Sequence, residues 1–209
     1  MTTDRGYYWA DANLTFAHAY IMPAVYRVLD ELKPNNGRPR LFDLGCGNGA
    51  VTAELARRGW DVTGVDPSEE GIEKARTAYP RLRFEIGSAY DPLAEKYGQW
   101  PVVLSLEVVE HLYDPAAYAR CLYDLLEPGG RAVLSTPYHG FWKNLAISLV
   151  NGWDAHFTPL WPHGHIKFFS PRTLGELLNR AGLEMISVVR VGRIPPLAKS
   201  FIAVVRRPK

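Results

Sequence analysis

Two carboxylates and an imidazole lie close together in the run Glu107-Val108-Val109-Glu110-His111. Their spacing predicts that the two glutamates share one face of a helix, with His111 beside the second and four residues after the first. Such a group is suited to hold a divalent cation. It is equally suited to form a histidine–carboxylate pair that makes His111 a better proton acceptor. A pair that only closes the start of a helix is the non-catalytic alternative.

A second run with chemical potential is Asp43-Leu44-Gly45-Cys46-Gly47-Asn48-Gly49. It follows a short apolar strand and precedes a helical pattern, so its glycines favour a tight turn that lets the backbone approach a ligand at a helix N-terminus. Asp66 follows at the end of the next apolar run, where an acid can accept hydrogen bonds from a ribose. The third glycine comes one residue too early for the dinucleotide fingerprint G-x-G-x-x-G, which disfavours a nucleotide-dependent oxidoreductase.

The elements that must position these residues alternate between apolar runs and helical patterns. This alternation indicates a parallel sheet with helices on both faces. The predicted strands are 41–44, 62–65, 82–86, 102–106 and 132–135, and the predicted helices are 50–58, 69–78, 116–126 and 171–181. Two last strands, near 184–191 and 200–205, are joined by a link too short for a crossover helix, so we expect them to pair antiparallel.

The expected fold class is therefore α/β. It is a Rossmann-like seven-stranded sheet with five parallel strands plus a terminal antiparallel hairpin and helices on both faces. We expect one domain over 1–209. Residues 1–36 form an N-terminal helical cap with two helices separated at Pro23, and residues 138–165 form an insertion or lid.

Asp43 to Gly49 resembles motif I of the class I methyltransferases that depend on S-adenosyl-L-methionine (SAM), written D-x-G-x-G-x-G. The resemblance extends from Leu41 to the terminal hairpin and includes Gly64-Val65-Asp66. It implies SAM as cofactor, with Asp66 on the ribose and Ser88 where the family usually has an acid near the adenine. The cofactor-binding residues that it implies are Asp43, Gly45, Cys46, Gly47, Gly49, Asp66, Pro67, Ser88, Ala89 and Leu106.

The run Glu107 to His111 also resembles that of the quinone-biosynthetic O-methyltransferases, which act on hydroxylated polyprenyl benzenoids. These enzymes share an insertion that ends in a histidine and a basic, aromatic stretch, here His165-Ile166-Lys167-Phe168-Phe169. The resemblance implies methyl transfer to a hydroxyl of a small aromatic or lipid-linked molecule, with His111, Glu110 and His165 as catalytic residues. It also implies Mg²⁺ as an optional cofactor, held by Glu107, Glu110 and His111.

The insertion 138–165 contains four histidines whose spacing matches no compact metal site: His139, His156, His163 and His165. We expect His165 and His139 to line the substrate pocket. Apolar residues recur at helical spacing over 141–153, which indicates a lid, a self-association surface or a peripheral membrane contact. Lys143 is the only charge in that helix, so the basic face typical of a membrane-surface helix is missing.

The N-terminal residues Tyr7, Tyr8, Trp9 and His18 are further candidates, because an N-terminal helix often closes over SAM in this family. N-methylation of a small amine and a non-catalytic SAM-binding module are the alternative functions. The formal charge of +2 and the lack of an N/D-P-P-Y/F motif after the fourth strand disfavour nucleic acid as substrate or partner. We expect a cytoplasmic protein without a disulfide, secretory signal or membrane span, and the oligomeric state stays open.

Overall fold

A computed structural model of the chain describes residue 9 and residues 11–34, 36–157, 159–161 and 164–209. Seven strands form one sheet in the order β3-β2-β1-β4-β5-β7-β6. The first five pair in parallel, and β7 pairs antiparallel with both β5 and β6. The predicted fold class is confirmed, and the switch in strand order between β1 and β4 marks the ligand-binding edge of such a sheet.

The strands are β1 (Arg40–Leu44), β2 (Asp61–Asp66), β3 (Arg83–Ile86), β4 (Trp100–Leu106), β5 (Leu126–Pro137), β6 (Glu184–Val191) and β7 (Ser200–Arg206). The helices are α1 (Phe16–Leu32), α2 (Ala50–Arg57), α3 (Glu69–Ala78), α4 (Leu93–Tyr97), α5 (Pro115–Leu125), α6 (Phe141–Leu149), α7 (Trp153–Phe157) and α8 (Pro171–Arg180). Single 3₁₀ turns occur at Val109–His111 and Pro195–Leu197.

The core lies on both faces of the sheet. Phe42, Val103 and Leu134 belong to the cluster on one face, and Leu41, Leu104 and Val133 to the cluster on the other. This alternation follows from the strand geometry, because successive side chains point to opposite faces. Both faces are apolar because helices cover both, so the polar residues of the chain concentrate at the ends of the strands.

The N-terminal helices were predicted wrongly as two. One helix, α1, runs through Pro23 without ending there. A proline inside a helix removes a hydrogen bond and crowds the preceding turn. Pro23 is exposed, while Met22 and Ala24 beside it are buried, as is Leu29 further along the helix. Burial of this apolar face outweighs the local cost of the proline.

The single helix predicted over 141–153 is also wrong, because α6 ends at Leu149 and α7 begins at Trp153. Asn151 between them has a φ of 49°, the left-handed conformation that ends a helix. The sequence prediction also missed α4, which is only one turn long. In the part of the chain that the structure describes, no helix is both long and apolar enough to cross a membrane.

Candidate active site

A cavity of about 950 Å³ opens at the carboxyl ends of the parallel strands. Leu44, Leu106 and Pro137, at the ends of β1, β4 and β5, form its floor. The cavity extends over β2 and β3 on one side and toward β7 on the other. Open α/β sheets bind their ligands in this crevice, so a cofactor and a second molecule can share it.

The glycine-rich loop lies at the floor of this cavity, but its three glycines serve different purposes. Gly45 lines the cavity with a φ of 86°, and a Cβ there would meet a Val108 methyl, so any other residue would be strained. Gly47 lies under the Trp9 ring, and Gly49 begins α2 against Phe84. Of the three, only Gly45 therefore has its place on the cavity wall.

Asp66 lies at the end of β2 on the cavity wall, as the sequence predicted. Its carboxylate accepts hydrogen bonds from the amides of Gly47 (2.9 Å) and Ser68 (2.8 Å). These bonds fix the carboxylate against the glycine loop, and each oxygen keeps a second lone pair that can accept from a ligand hydroxyl. Pro67, Ser88 and Ala89 line the same side of the cavity.

Asp43 and Cys46 have a different position from the one that motif resemblance implies. Both are buried, Asp43 near the end of β1 and Cys46 within the glycine loop, and neither lines the cavity. The Thr52 hydroxyl donates a 2.6 Å hydrogen bond to the Asp43 carboxylate. Burial nevertheless raises the pKa of Asp43 to about 7. Asp43 thus supports the loop from below instead of facing a cofactor directly.

The segment that precedes α1 is bound to the glycine loop by hydrogen bonds. The Asn48 amide donates to the carbonyls of Asp11 (2.8 Å) and Asn13 (3.0 Å), and its own oxygen accepts from the amide of Ala50 (3.2 Å). Trp9 and His18 line the cavity, whereas Tyr7 and Tyr8 lie outside the described residues. Asn48 was not singled out by sequence reasoning, although its place between two motif glycines is the only signal that could have identified it.

Glu110, His111 and His165 form a cluster at the cavity. One ligand atom of each lies within 4.8 Å of those of the other two, and the two imidazole rings meet edge to face with centroids 4.8 Å apart. His165 reaches this place because the amides of Ile166 (2.9 Å) and Lys167 (3.0 Å) donate to the Glu110 carbonyl. Residues far apart in sequence are joined by these backbone hydrogen bonds.

The environment of this group favours uncharged forms. Glu110 is 1% exposed, and neither of its carboxylate oxygens has a hydrogen-bond partner among the described residues. Burial, and then the charge of Glu107, raise the pKa of Glu110 well above its usual range. Burial, and then the neighbouring His111, lower the pKa of His165 to about 4, so its imidazole is neutral at neutral pH.

Glu107 does not belong to this group, which corrects the predicted ligand set Glu107, Glu110 and His111. The chain leaves β4 with Glu107 at a φ of 53°, and only a 3₁₀ turn follows, so the two glutamates share no helix face. The Glu107 carboxylate instead accepts hydrogen bonds from the hydroxyls of Ser135 (2.8 Å) and Ser200 (3.3 Å). His165 occupies the place in the group that Glu107 was expected to fill.

The insertion forms the cavity wall on the side of β7. The cavity is lined on this side by His139, Lys143, His156 and Phe157. His163 lies outside the described residues. α6 turns its single charge inward, since Lys143 is 8% exposed while Phe141 is 71% and Leu149 is 77% exposed. Self-association and membrane contact, both predicted for this exposed apolar face, stay predictions.

Comparison with known proteins identifies the family. A family model described as "Methyltransferase domain" matches residues 14–188. A ubiquinone biosynthesis O-methyltransferase of Ruegeria pomeroyi is 38% identical over 154 residues, which cover 70% of this chain and 60% of that protein. The homonymous protein of Aromatoleum aromaticum is 29% identical over 160 residues, 75% of this chain and 68% of that one. The chain thus spans about 60% of the length of its more similar curated relatives.

Solved structures have the same fold at lower identity. Magnesium protoporphyrin IX methyltransferase from Synechocystis PCC 6803, solved with bound SAH, superposes with a TM-score of 0.68 at 18% identity and covers 95% of this chain and 90% of that one. A SAM-dependent methyltransferase from Methanosarcina mazei gives 0.66 at 18% identity, with 88% and 98% covered. The family model covers most of the chain, which therefore belongs to the methyltransferase domain family.

Proposed function

We propose that the protein transfers the methyl group of SAM to a hydroxyl of a small aromatic or lipid-linked molecule. The observation that carries this proposal is the group Glu110, His111 and His165, whose two imidazoles line the cofactor cavity. The relatives whose names contain "O-methyltransferase" support it. A methyl group on a sulfonium is already activated, so the protein has to align the acceptor oxygen with it and help to remove a proton.

The cofactor residues of this proposal are those on the cavity wall. Asp66 would accept from the ribose hydroxyls, while Pro67, Ser88 and Ala89 would surround the adenine, and Gly45 and Leu106 would contact the rest of SAM. Four further residues would affect SAM binding only through the glycine loop that they support or form: Asp43, Cys46, Gly47 and Gly49. The acceptor then lies toward β7, with its hydroxyl at His111 and His165.

The same group fits a divalent cation. Glu110 has two buried oxygens without a partner among the described residues, and an unpaired carboxylate in such a place is costly unless it is protonated or bound to a cation. Two imidazoles and a carboxylate are typical ligands of Zn²⁺ or Fe²⁺, whereas Mg²⁺ prefers oxygen ligands, so the corrected set favours a transition metal over Mg²⁺. When bound, such an ion would lower the pKa of the acceptor hydroxyl.

The two imidazoles differ in what they can do without a cation. An imidazole whose pKa is about 4 is a weak base, so His165 is suited to ligate or to orient the acceptor. Proton removal then falls to His111. N-methylation of a small amine is the second candidate, and the Glu107 carboxylate on the cavity wall is the observation that favours it, since a carboxylate can position a cationic amine.

The experiment compares methyl transfer to catechol with methyl transfer to a matched aniline. Each transfer is measured in the untreated protein, after bound metal is removed with a chelator, and after Zn²⁺, Mn²⁺ or Mg²⁺ is added back. We expect transfer to catechol, and a loss of about 10²-fold or more in kcat for His111→Gln. Glu110→Gln separates the two mechanisms, because it removes a charged ligand but mimics a protonated acid. A strong loss of activity in Glu110→Gln, together with a wild-type activity that the chelator removes, supports a bound cation. Near-normal activity of Glu110→Gln supports a protonated Glu110. Glu31→Gln, on the exposed surface of α1, is the control.

Transfer to the aniline alone would replace the proposal by N-methylation. SAM binding without transfer to any hydroxyl or amine acceptor would support the non-catalytic module instead.

A further inference from the structure

We propose that the Glu107 carboxylate binds the sulfonium of SAM and thereby favours SAM over S-adenosylhomocysteine, the product that remains after transfer. This inference rests on the proposed function and adds a residue to its cofactor site. Glu107 lines the cavity immediately after Leu106, which ends β4. The cluster Glu110, His111 and His165, where the acceptor hydroxyl would lie, follows along the same wall.

The strand order indicates which part of SAM would lie at Glu107. Asp66 ends β2, where it would accept from the ribose hydroxyls, and Gly45 and Glu107 follow β1 and β4, the next two strands of the sheet. Neighbouring strands are about 5 Å apart, and a single methylene separates the ribose ring of SAM from its sulfonium. The sulfonium would therefore lie over the ends of β1 and β4, beside the Glu107 carboxylate.

Ser135 on β5 holds Glu107 in an unfavourable backbone conformation. The φ of 53° is left-handed, which a residue other than glycine adopts only at a cost. The Glu107 amide donates to the carbonyl (3.1 Å) and the hydroxyl (3.0 Å) of Ser135, and that hydroxyl in turn donates to the Glu107 carboxylate (2.8 Å). Strained residues of this kind cluster at functional sites, which indicates that the placement of this carboxylate matters.

Ser200 holds the same carboxylate from β7. Its hydroxyl donates to the other carboxylate oxygen (3.3 Å) and lies 3.4 Å from the Tyr20 hydroxyl. Burial raises the pKa of Glu107 to about 7, and the two serine hydroxyls and then the charge of Lys143 oppose this shift. Hydroxyl donors stabilise the charged carboxylate but bring no positive charge to it. Ser135 and Ser200 are therefore positioning residues for a carboxylate that has no counterion of its own.

The other charges of the cavity leave Glu107 as the group that can pair with a cation. No lysine, arginine or histidine nitrogen lies within 4.0 Å of its carboxylate in the part of the chain that the structure describes. Among the described residues only Asp66 also lines the cavity with a carboxylate, and it already accepts from two backbone amides. The β7 wall would repel a sulfonium, since it consists of Lys143, Arg193 and Lys199. A low-dielectric cleft strengthens the attraction between Glu107 and a cation.

Methyl transfer removes the charge that Glu107 would bind. As the acceptor oxygen bonds to the methyl carbon, the carbon–sulfur bond breaks and its electron pair stays on sulfur, which becomes a neutral thioether. The acceptor proton goes to His111, as in the proposed function. Because the attraction weakens toward the transition state, it contributes to the binding of SAM and the release of product, and not to the rate of the chemical step. A carboxylate paired with the sulfonium is also unavailable to an amine acceptor, which disfavours N-methylation.

The test measures the affinity of three ligands by calorimetry without an acceptor, at about pH 8 and with a chelator present, so that Glu107 is ionised and free of divalent cations. SAM carries the sulfonium, sinefungin carries an ammonium in its place, and S-adenosylhomocysteine has a neutral sulfur. All three share the adenosine and the α-amino acid group. We expect Glu107→Gln to weaken the binding of SAM and sinefungin at least about tenfold, or about 1.4 kcal/mol, and to change that of S-adenosylhomocysteine less than about twofold.

Three further variants complete the test. Glu73→Gln, exposed on α3 and outside the cavity, is the matched control and should change none of the affinities. Ser200→Ala removes one donor to the carboxylate, so it should reduce the ratio of SAM affinity to S-adenosylhomocysteine affinity severalfold. Ser200→Thr keeps the hydroxyl and should retain the wild-type ratio. The two Ser200 variants decide the matter if Glu107→Gln does not fold.

Equal weakening of all three ligands by Glu107→Gln would assign the carboxylate to the α-ammonium that they share, and would overturn the inference. A ratio unchanged in both Glu107→Gln and Ser200→Ala would overturn it as well. Either result leaves the proposed function intact. The reverse result, a shifted ratio in a protein that methylates no hydroxyl, would refute the proposed function and uphold the role of Glu107. A wild-type protein that binds no SAM would refute both.

Discussion

Replacing Asp43 by asparagine should stabilise the cofactor-free protein at neutral and alkaline pH. The ordinary pKa of 3.8 is raised to about 7 for Asp43, mainly by burial. Between these two values the folded protein holds a proton that the unfolded chain has released, so the free energy of unfolding falls as pH rises. The amide introduced by Asp43→Asn cannot ionise, and its oxygen can still accept the hydrogen bond from Thr52.

The expected magnitude follows from the two pKa values. For each pH unit between these values, the free energy of unfolding of the wild-type protein falls by about 1.4 kcal/mol relative to that of Asp43→Asn. The difference between variant and wild type should therefore grow by about 2 kcal/mol from about pH 5 to about pH 7 and change little above about pH 8. Urea unfolding of both proteins at four pH values across this range measures it.

Asp61→Asn, at the exposed start of β2, serves as the matched control. If the Asp43→Asn and wild-type curves ran parallel, Asp43 would titrate as an ordinary carboxylate, and its burial below the loop would be refuted. A gap that opened toward low pH would have the wrong sign and would refute the reasoning equally.

Three further variants test other parts of the structure. Asn48→Ala should weaken the attachment of the N-terminal segment to the glycine loop by about 2 kcal/mol, because two hydrogen bonds are lost. Faster amide exchange over 11–18 would show this, and unchanged exchange would contradict it. Gly45→Ala should abolish measurable SAM binding in calorimetry, because the added methyl meets Val108 in a left-handed conformation; near-normal affinity would contradict the loop geometry. Pro23→Ala should raise the free energy of unfolding by about 1–3 kcal/mol, since it restores a helical hydrogen bond at an exposed site; a loss of stability would show that the ring packs.

The sequence predicted the sheet well because each parallel strand is a short apolar run between turn residues, as in Leu41 to Leu44. It failed at Pro23, where the packing of neighbouring side chains on the sheet outweighs a strong local signal. It failed again over 141–153, because the apolar spacing continues across Asn151-Gly152, a turn dipeptide that separates α6 from α7.

The candidate site also divides into residues whose positions follow from local sequence and residues whose positions depend on packing. Asp66 and the glycine loop follow one strand each, so their positions depend on local sequence alone. The membership of the reactive group depends on a hydrogen-bonded contact between Glu110 and the residues after His165, which no spacing reveals. The charge of the β7 wall likewise arises only when Lys143, Arg193 and Lys199 are brought together by the fold.

The central claim, methyl transfer to an oxygen within this cavity, is tested most directly with SAM labelled with ¹³C in its methyl group. The purified protein is incubated with catechol and the product is examined by NMR and mass spectrometry. The proposed function predicts one added labelled methyl whose carbon is bonded to a ring hydroxyl oxygen, and no product from His111→Gln above the uncatalysed level. A labelled methyl on carbon, or an unchanged yield from His111→Gln in a correctly folded protein, would contradict it.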